Sequence, residues 1–183
     1  MGGLTVKNEQ QIKGGVKMKK LKNEKGFSLV ELLIVIAIMG VLAVIAFNMF
    51  GGVLQGSKKS ADAQQGKQIE KALLTYCIES SDWDLNGTTS GGAATLKSVN
   101  TDQLIIALTS GISYSSIGYG PYISLKDPAK LITDDINKSI YTPQWNTSNG
   151  GLYLGYQIDV WPQKQTVVVV PTTGALGHAT VHP

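Results

Sequence analysis

The sequence predicts an α+β protein in which one long N-terminal helix precedes a small antiparallel β-sheet. Leu32–Phe47 contains no charged and no strongly polar side chain, which indicates an apolar helix. Ser57–Ser80 then places its apolar residues on one face only, as is typical of a helix that packs on a domain. Leu152–Trp161 alternates apolar and polar residues and Gln165–Val170 is rich in β-branched residues, so both segments are predicted strands.

The apolar helix is long enough to cross a membrane. As a helix, Phe27–Phe50 would span about 36 Å, which exceeds the roughly 30 Å of a bilayer core. Residues 1–26 contain seven lysines and two glutamates, whereas residues 27–183 contain nine lysines and eleven acidic residues. The positive-inside rule therefore predicts a cytoplasmic N-terminus and an exported, mildly acidic C-terminal part.

Composition excludes several classes of function. The 183 residues include no arginine, so the bidentate phosphate contacts of a specific nucleic-acid site are not available. Cys77 is the single cysteine, which excludes an intrachain disulfide. The sequence contains no G-x-S-x-G, P-loop or C-x-x-C pattern, and His178 and His182 lie in a tail that we expect to be exposed. We therefore predict that the protein is not an enzyme.

The segment Lys25–Glu31, with the sequence KGFSLVE, joins the basic leader to an apolar helix that contains Gly40. This segment resembles the N-terminal signature of type IV pilins and type II secretion pseudopilins. The resemblance implies that a membrane peptidase cuts after Gly26 and that the new N-terminal Phe27 is N-methylated. It also implies that the apolar helices of many copies then form the core of a filament.

The resemblance further implies how the chain is divided and what it does. The implied parts are a removed leader of residues 1–26, a transmembrane and filament-core helix of residues 27–56, and a head domain of residues 57–183. Met18 is an alternative start of the leader. The implied function is a structural subunit of a type IV pilus used for adhesion or motility. The implied partners are further copies of the chain, a prepilin peptidase, an inner-membrane platform protein and an assembly ATPase. A single-pass precursor in the cytoplasmic membrane would become part of an extracellular filament.

Glu31 interrupts the start of the apolar segment. An ionised carboxylate in hydrocarbon is costly and usually has a partner. Cleavage after Gly26 would create an α-ammonium group on Phe27, one helical turn from Glu31. Between chains, Glu31 of one subunit would meet the Phe27 amine of its neighbour and fix the axial register. We therefore expect Phe27 and Glu31 to direct filament assembly.

Three other interpretations stay open from the sequence. Val44–Ala46 is an acceptable cleavage site for a secretory signal peptide, which would release a chain that begins at Phe47. The apolar stretch would otherwise be a plain membrane anchor. In both cases the head would be an exported binding protein, with Trp83, Trp145 or Trp161 in its site. The third alternative is a pseudopilin of a type II secretion-like system.

Four glycines of the long helix are candidates for local flexibility: Gly40, Gly51, Gly52 and Gly56. Each glycine destabilises a helix interior by up to about 1 kcal/mol relative to alanine. We expect the helix to be weakened around them. The alternative is that they let neighbouring helices approach closely.

A candidate metal site follows the long helix. Asp82, Asp84, Asn86 and Gly87 match the first six positions of a calcium loop. Ala93 stands at position twelve, where a bidentate glutamate is expected. A weak Ca²⁺ site is one prediction, and an Asx-rich turn that ends the helix is the alternative. We predict no other cofactor.

The remaining elements follow from local patterns. Asn100 is a predicted N-cap for a short helix over Thr101–Ser110, which ends at a glycine. The two strands near the C-terminus are expected to form a hairpin through Pro162–Lys164. Val167–Val170 is apolar on both faces and is expected to be the more buried strand. Pro171–Pro183 is expected to run over the surface as a polar tail.

Overall fold

The structure is a computed structural model that describes residues 26–89, 92, 94–132 and 135–183. The predicted leader up to Lys25, including Met18, lies outside the described residues, as does Ala93. Helix α1 spans Leu29–Ser80. Contacts divide the chain into one unit that ends at Ile45 and a second unit, Ala46–Pro183.

The N-terminal part of α1 is apolar on every side. All side chains from Gly26 to Ile45 are exposed. By length and composition, α1 is the one helix among the described residues that is apolar enough to cross a membrane. The predicted long apolar helix is confirmed.

The C-terminal part of α1 buries one face. Ile69, Leu73, Tyr76 and Cys77 are fully buried, at spacings of three and four residues. The helix ends where the Ser80 hydroxyl donates to the Tyr76 carbonyl at 2.7 Å. The predicted amphipathic half is therefore confirmed.

The helix continues through Gly51, Gly52 and Gly56 without a break. A Cβ atom built on any of these three glycines, or on Gly40, would meet no other atom within 4 Å. Among the described residues, no close packing requires glycine at these positions. The flexibility of these positions stays a prediction.

The second unit contains two three-stranded sheets. In the first sheet all pairs are antiparallel, in the order β1, β2, β3, and its strands are Thr88–Thr89, Ile112–Tyr114 and Ile117–Tyr119. In the second sheet the order is β5, β4, β6, and its strands β4, β5 and β6 are Gly155–Trp161, Thr166–Thr172 and Thr180–Val181. Helix α2 is Thr101–Ser110 and the short helix α3 is Asp135–Lys138. The α+β fold class is confirmed.

One hydrophobic core joins the buried face of α1, helix α2 and the second sheet. Its fully buried side chains include Ile69, Leu73 and Tyr76 of α1, Leu104, Ile105 and Leu108 of α2, and Tyr156, Ile158 and Val160 of β4. The core therefore lies within the second unit.

Helix α2 has the predicted caps. The Asn100 side chain accepts a hydrogen bond from the Gln103 N–H at 2.8 Å, and Asn100 itself has extended backbone angles. At the other end, Gly111 adopts φ of 102° and donates its N–H to the Ala107 carbonyl. These bonds satisfy backbone groups that the helix itself leaves unpaired.

The predicted hairpin of β4 and β5 is confirmed, with Val160 opposite Val167 and a 3-10 turn at Pro162–Lys164. The prediction that Val167–Val170 is the more buried strand is wrong. Val170 is 43% exposed, whereas β4 is central and pairs with strands on both sides. The valine run suggested two buried faces, but β5 buries only its alternate residues.

The prediction that Pro171–Pro183 runs over the surface as a polar tail is confirmed only in part, because most of these residues are exposed but Thr180–Val181 forms strand β6. β6 pairs with β4 in parallel, and the His182 N–H donates to the Val160 carbonyl at 2.8 Å. The His182 ring stacks on Trp161 with centroids 4.5 Å apart and contacts Asp159 at 3.0 Å. A two-residue strand held by backbone bonds leaves no side-chain periodicity, so the sequence did not indicate it.

Candidate functional site

The N-terminus of α1 is a capping box. The Ser28 hydroxyl accepts a hydrogen bond from the Val30 N–H at 3.3 Å, and Glu31 Oε2 accepts one from the Ser28 N–H at 3.0 Å. This reciprocal arrangement satisfies backbone donors that the first helical turn leaves unpaired. The S-x-x-E spacing was readable in the sequence, but our sequence reasoning considered only the charge of Glu31.

The capping box places the Glu31 carboxylate at the positive end of the helix dipole. Partial positive charge at a helix N-terminus stabilises an anion there. The amide that donates to Glu31 joins Phe27 to Ser28, so the carboxylate lies beside the residue that cleavage would make N-terminal. Glu31 therefore has a local partner within one chain, and its pairing with the Phe27 amine of a neighbouring subunit stays a prediction.

The predicted cleavage site is open. Phe27 is 84% exposed, and a Cβ atom built on Gly26 would meet nothing within 4 Å. Neither residue lies in α1, which begins at Leu29. None of the described residues covers Gly26 or Phe27, and cleavage between them stays a prediction.

Large apolar side chains follow on every side of the helix. More than half of the surface of each is exposed at Leu32, Leu33, Ile34, Ile36, Ile38, Met39, Val41, Leu42, Val44 and Ile45. An exposed apolar area of this extent is typical of a surface that contacts lipid or other helices. This part of the chain can therefore form non-directional hydrophobic contacts, and Glu31 supplies one carboxylate near its start.

Residues 21–47 match the family model described as the prokaryotic N-terminal methylation motif. This segment of the chain is therefore similar to the N-terminal segment of proteins that carry this motif. The matched range contains Gly26, Phe27, Glu31 and Gly40. The methylation motif and the capping box therefore occupy the same short segment of the chain.

Curated proteins similar to this chain are fimbrial proteins and type IV pilins. It is 34% identical over 91 residues to the fimbrial protein EcpC of Eikenella corrodens, which covers 49% of the chain and 60% of that relative. It is 32% identical over 71 residues to the type IV major pilin protein PilE1 of Neisseria gonorrhoeae, covering 39% of the chain and 43% of the relative. The chain thus spans about three fifths or less of these relatives. No solved structure matches it.

The candidate calcium residues follow α1, where Asp82 already has protein partners. Asp82 is 1% exposed, and its Oδ2 accepts the Tyr76 hydroxyl and the Gly87 N–H, each at 2.6 Å. Its Oδ1 accepts the Asn86 N–H at 2.9 Å. Burial and the neighbouring Asp82 raise the pKa of the Tyr76 hydroxyl, which therefore stays a donor. These bonds are those of the alternative, an Asx-rich turn.

Asp84 and Asn86, the other two candidate ligands, are exposed. Across the described parts of the chain, no three side chains of Asp, Glu, His or Cys come together in a group suited to a metal ion. A Ca²⁺ ion at this turn would have to compete with the three donors on Asp82. Calcium binding stays a prediction, which a calorimetric titration with millimolar Ca²⁺ tests.

Sequence reasoning missed a second buried aspartate, Asp62 on α1. It is 1% exposed, and its two oxygens accept the N–H groups of Gln144 at 2.5 Å and Trp145 at 2.9 Å. Lys59 lies over the Trp145 ring at 4.1 Å. The available signal was an aspartate on the apolar face of an amphipathic helix, because such a residue needs a partner.

Proposed function

We propose that this chain is a structural subunit of a type IV pilus that polymerises through the apolar part of α1. One observation carries the proposal: the methylation motif lies at the start of a helix whose first residues are apolar on every side and exposed. A chain with this surface needs a membrane before assembly and a bundle of like helices afterwards. Head domains built on the second unit would then form the outer surface.

Processing prepares the assembly step. A prepilin peptidase cuts after Gly26, and the Phe27 amine is methylated and stays cationic. Glu31 of an arriving subunit pairs with the Phe27 amine of a neighbour, while the leucine, isoleucine and valine side chains pack without direction. An inner-membrane platform protein and an assembly ATPase supply the force and the site of insertion. The chain acts by packing and pairing rather than by catalysis.

The test separates the two roles of Glu31. Glu31→Ala removes both the charge and the cap, whereas Glu31→Gln keeps an acceptor for the Ser28 N–H, since glutamine also serves in a capping box. If charge pairing sets the register, both variants insert into the membrane but yield no filaments. Electron microscopy and sheared-filament yield measure assembly, and membrane fractionation measures insertion.

The outcomes differ clearly. Normal filament yield from Glu31→Ala contradicts the assembly role of this residue. Normal yield from Glu31→Gln together with loss in Glu31→Ala would mean that the cap, and not the charge, is required.

The glycines of α1 are tested separately. Alanine at Gly51, Gly52 or Gly56 is expected to leave filament yield unchanged and to stiffen the filament.

A further inference from the structure

The sequence after Gly26 contains three N-x-S/T motifs in which x is not proline. They are Asn86–Thr88, Asn137–Ser139 and Asn146–Ser148. In an exported protein, this motif is the acceptor of N-linked sugars when its asparagine lies at the surface. Because so short a motif also occurs by chance, the surroundings of each asparagine decide whether it can carry a sugar.

Asn137 is closed to modification in the folded chain. It is 0% exposed, and its Oδ1 accepts the Asp127 N–H at 3.1 Å. Its Nδ2 donates to the carbonyls of Asp127, Lys130 and Leu131 at 3.1, 3.2 and 3.0 Å. A sugar on this nitrogen would have to occupy the space of three backbone carbonyls.

Asn146 uses both ends of its amide to fix a turn. Its Nδ2 donates to the Pro143 carbonyl at 2.6 Å, and its Oδ1 accepts the Asn149 N–H at 3.1 Å. The residue is half-buried and caps the 3-10 turn Thr147–Asn149. Its side chain therefore serves the fold of the loop.

Asn86 differs from both because its side chain is exposed. Its backbone N–H donates to Asp82 Oδ1 at 2.9 Å, but within the described parts of the chain its side-chain amide makes no hydrogen bond. Leu85 before it is fully buried, and a Cβ atom built on Gly87 after it would collide with the Tyr76 hydroxyl. The turn thus buries the neighbours of Asn86 and leaves its amide nitrogen open to reaction.

The rest of this motif also lies at the surface, away from the apolar part of α1. The Thr88 hydroxyl donates to the Ser113 carbonyl through an exposed bond of 3.3 Å. Along α1, 26 residues or about 39 Å of helix separate Leu54 from Ser80, and Asn86 follows the end of the helix. A sugar on Asn86 would therefore leave the apolar side chains of the helix free to pack.

We propose that Asn86 carries an N-linked oligosaccharide on the surface of the head. The proposal rests on the proposed function, because it requires export of the second unit. In the transfer, Asn86 Nδ2 forms a bond to C1 of the first sugar, while the bond from that C1 to the phosphate oxygen of a lipid-diphosphate-linked oligosaccharide breaks. The lipid diphosphate leaves with the electron pair and one Nδ2 proton passes to a base of the transferase, so nothing is oxidised or reduced.

The experiment maps the tryptic peptides of the full chain, recovered from its native cells, by mass spectrometry. The peptide Ala72–Lys97 contains Asn86 as its single asparagine. We expect this peptide to be heavier by whole sugar residues, and fragmentation that keeps sugars attached should place them on Asn86. In the intact mass, these sugars come in addition to the methyl group expected on Phe27.

Variants of the motif test whether it directs the sugar. Asn86→Gln removes the acceptor and Thr88→Val removes the hydroxyl, so both should abolish the added mass. Thr88→Ser keeps the motif and should keep the sugar. Thr89→Val is the matched control, because it changes the adjacent threonine outside the motif, and its peptide should stay modified.

Two outcomes overturn the glycosylation proposal and leave the proposed function intact. The first is an unmodified peptide from a chain that begins at Phe27. The second is a sugar that persists in Asn86→Gln or Thr88→Val, because the motif would then not direct it. An unmodified peptide from a chain that keeps its leader and stays in the cytoplasm overturns both proposals.

Discussion

At the scale of single residues, buried aspartates fix loops to α1 through backbone N–H groups. Asp62 holds the loop at Gln144, and Asp82 holds the turn at Gly87. Such bonds are among the stronger ones in proteins because the acceptor is charged. Each aspartate also gives a hydrogen-bond partner to buried polar groups that would otherwise have none.

We predict that Asp62→Ala destabilises the second unit by about 2–3 kcal/mol, because two backbone donors lose a charged acceptor. Urea unfolding of the full chain in detergent micelles, followed by tryptophan fluorescence, measures the change. Asp84→Ala is the control, since Asp84 is exposed and its loss should change stability by less than about 0.5 kcal/mol. An equally small effect of Asp62→Ala would contradict the anchoring role.

Cys77 is a buried thiol in the part of α1 that carries the head. Burial, and secondarily the charge of Asp82, raise the pKa of this thiol from 9.0 to about 12. We predict that iodoacetamide at pH 8 modifies the unfolded chain and leaves the folded chain unmodified. The unfolded thiol ionises near pH 9 and the folded one does not, so the free energy of unfolding falls as pH rises from 9 towards 12.

The Cys77→Ala variant isolates this term, because it lacks the thiol but keeps the buried tyrosines. Its unfolding free energy should fall less steeply between pH 9 and pH 10 than that of the parent chain. Rapid modification of the folded parent, or identical slopes for the two proteins, would show that the thiol is accessible.

At the scale of elements, the outer edge of β5 is blocked. The Val169 N–H points away from β4 and donates to Glu70 of α1 at 3.2 Å. Pro171 lies two residues further, on the same edge, and has no N–H to offer. At these two positions the edge offers no free donor to a strand of another chain.

Two glycines of α1, Gly66 and Gly56, differ in their surroundings, and substitutions at them should change stability in opposite directions. A Cβ atom built on Gly66 would lie 3.1 Å from the Val169 carbonyl oxygen. A Cβ atom built on Gly56 would meet no described atom outside the helix backbone within 4 Å. We predict that Gly66→Leu destabilises the fold by about 1–3 kcal/mol through overpacking. Gly56→Ala should instead gain up to about 1 kcal/mol of helix stability. Circular dichroism during thermal unfolding measures both, and a stable Gly66→Leu chain would contradict the close helix–strand contact.

Elements with local signals were predictable from the sequence. Helix α2 was predicted with its Asn100 cap, and the hairpin of β4 and β5 with its turn, because caps, turns and alternation are written within a few residues. β6 was not predictable, because its two residues depend on β4 being free on one side. The prediction of which strand, β4 or β5, is more buried was wrong for the same reason, because the burial of a strand depends on neighbours distant in sequence.

At the scale of the molecule, two kinds of surface occur on one chain. Residues 26–45 expose apolar side chains, and the hydrophobic core lies among the residues after Ala46. The segment Lys25–Glu31 predicted the candidate site because the motif is contiguous. The contact between Asp62 and Gln144 was beyond prediction, since 82 residues separate the two.

Whether the chain is processed and assembled as a pilin is tested by its N-terminal residue and its intact mass. Both are measured on protein recovered from its native cells. We predict a chain that begins at Phe27 and is heavier by one methyl group. A chain that begins at Phe47 would show that the apolar stretch is a signal peptide. That result would contradict filament assembly through α1.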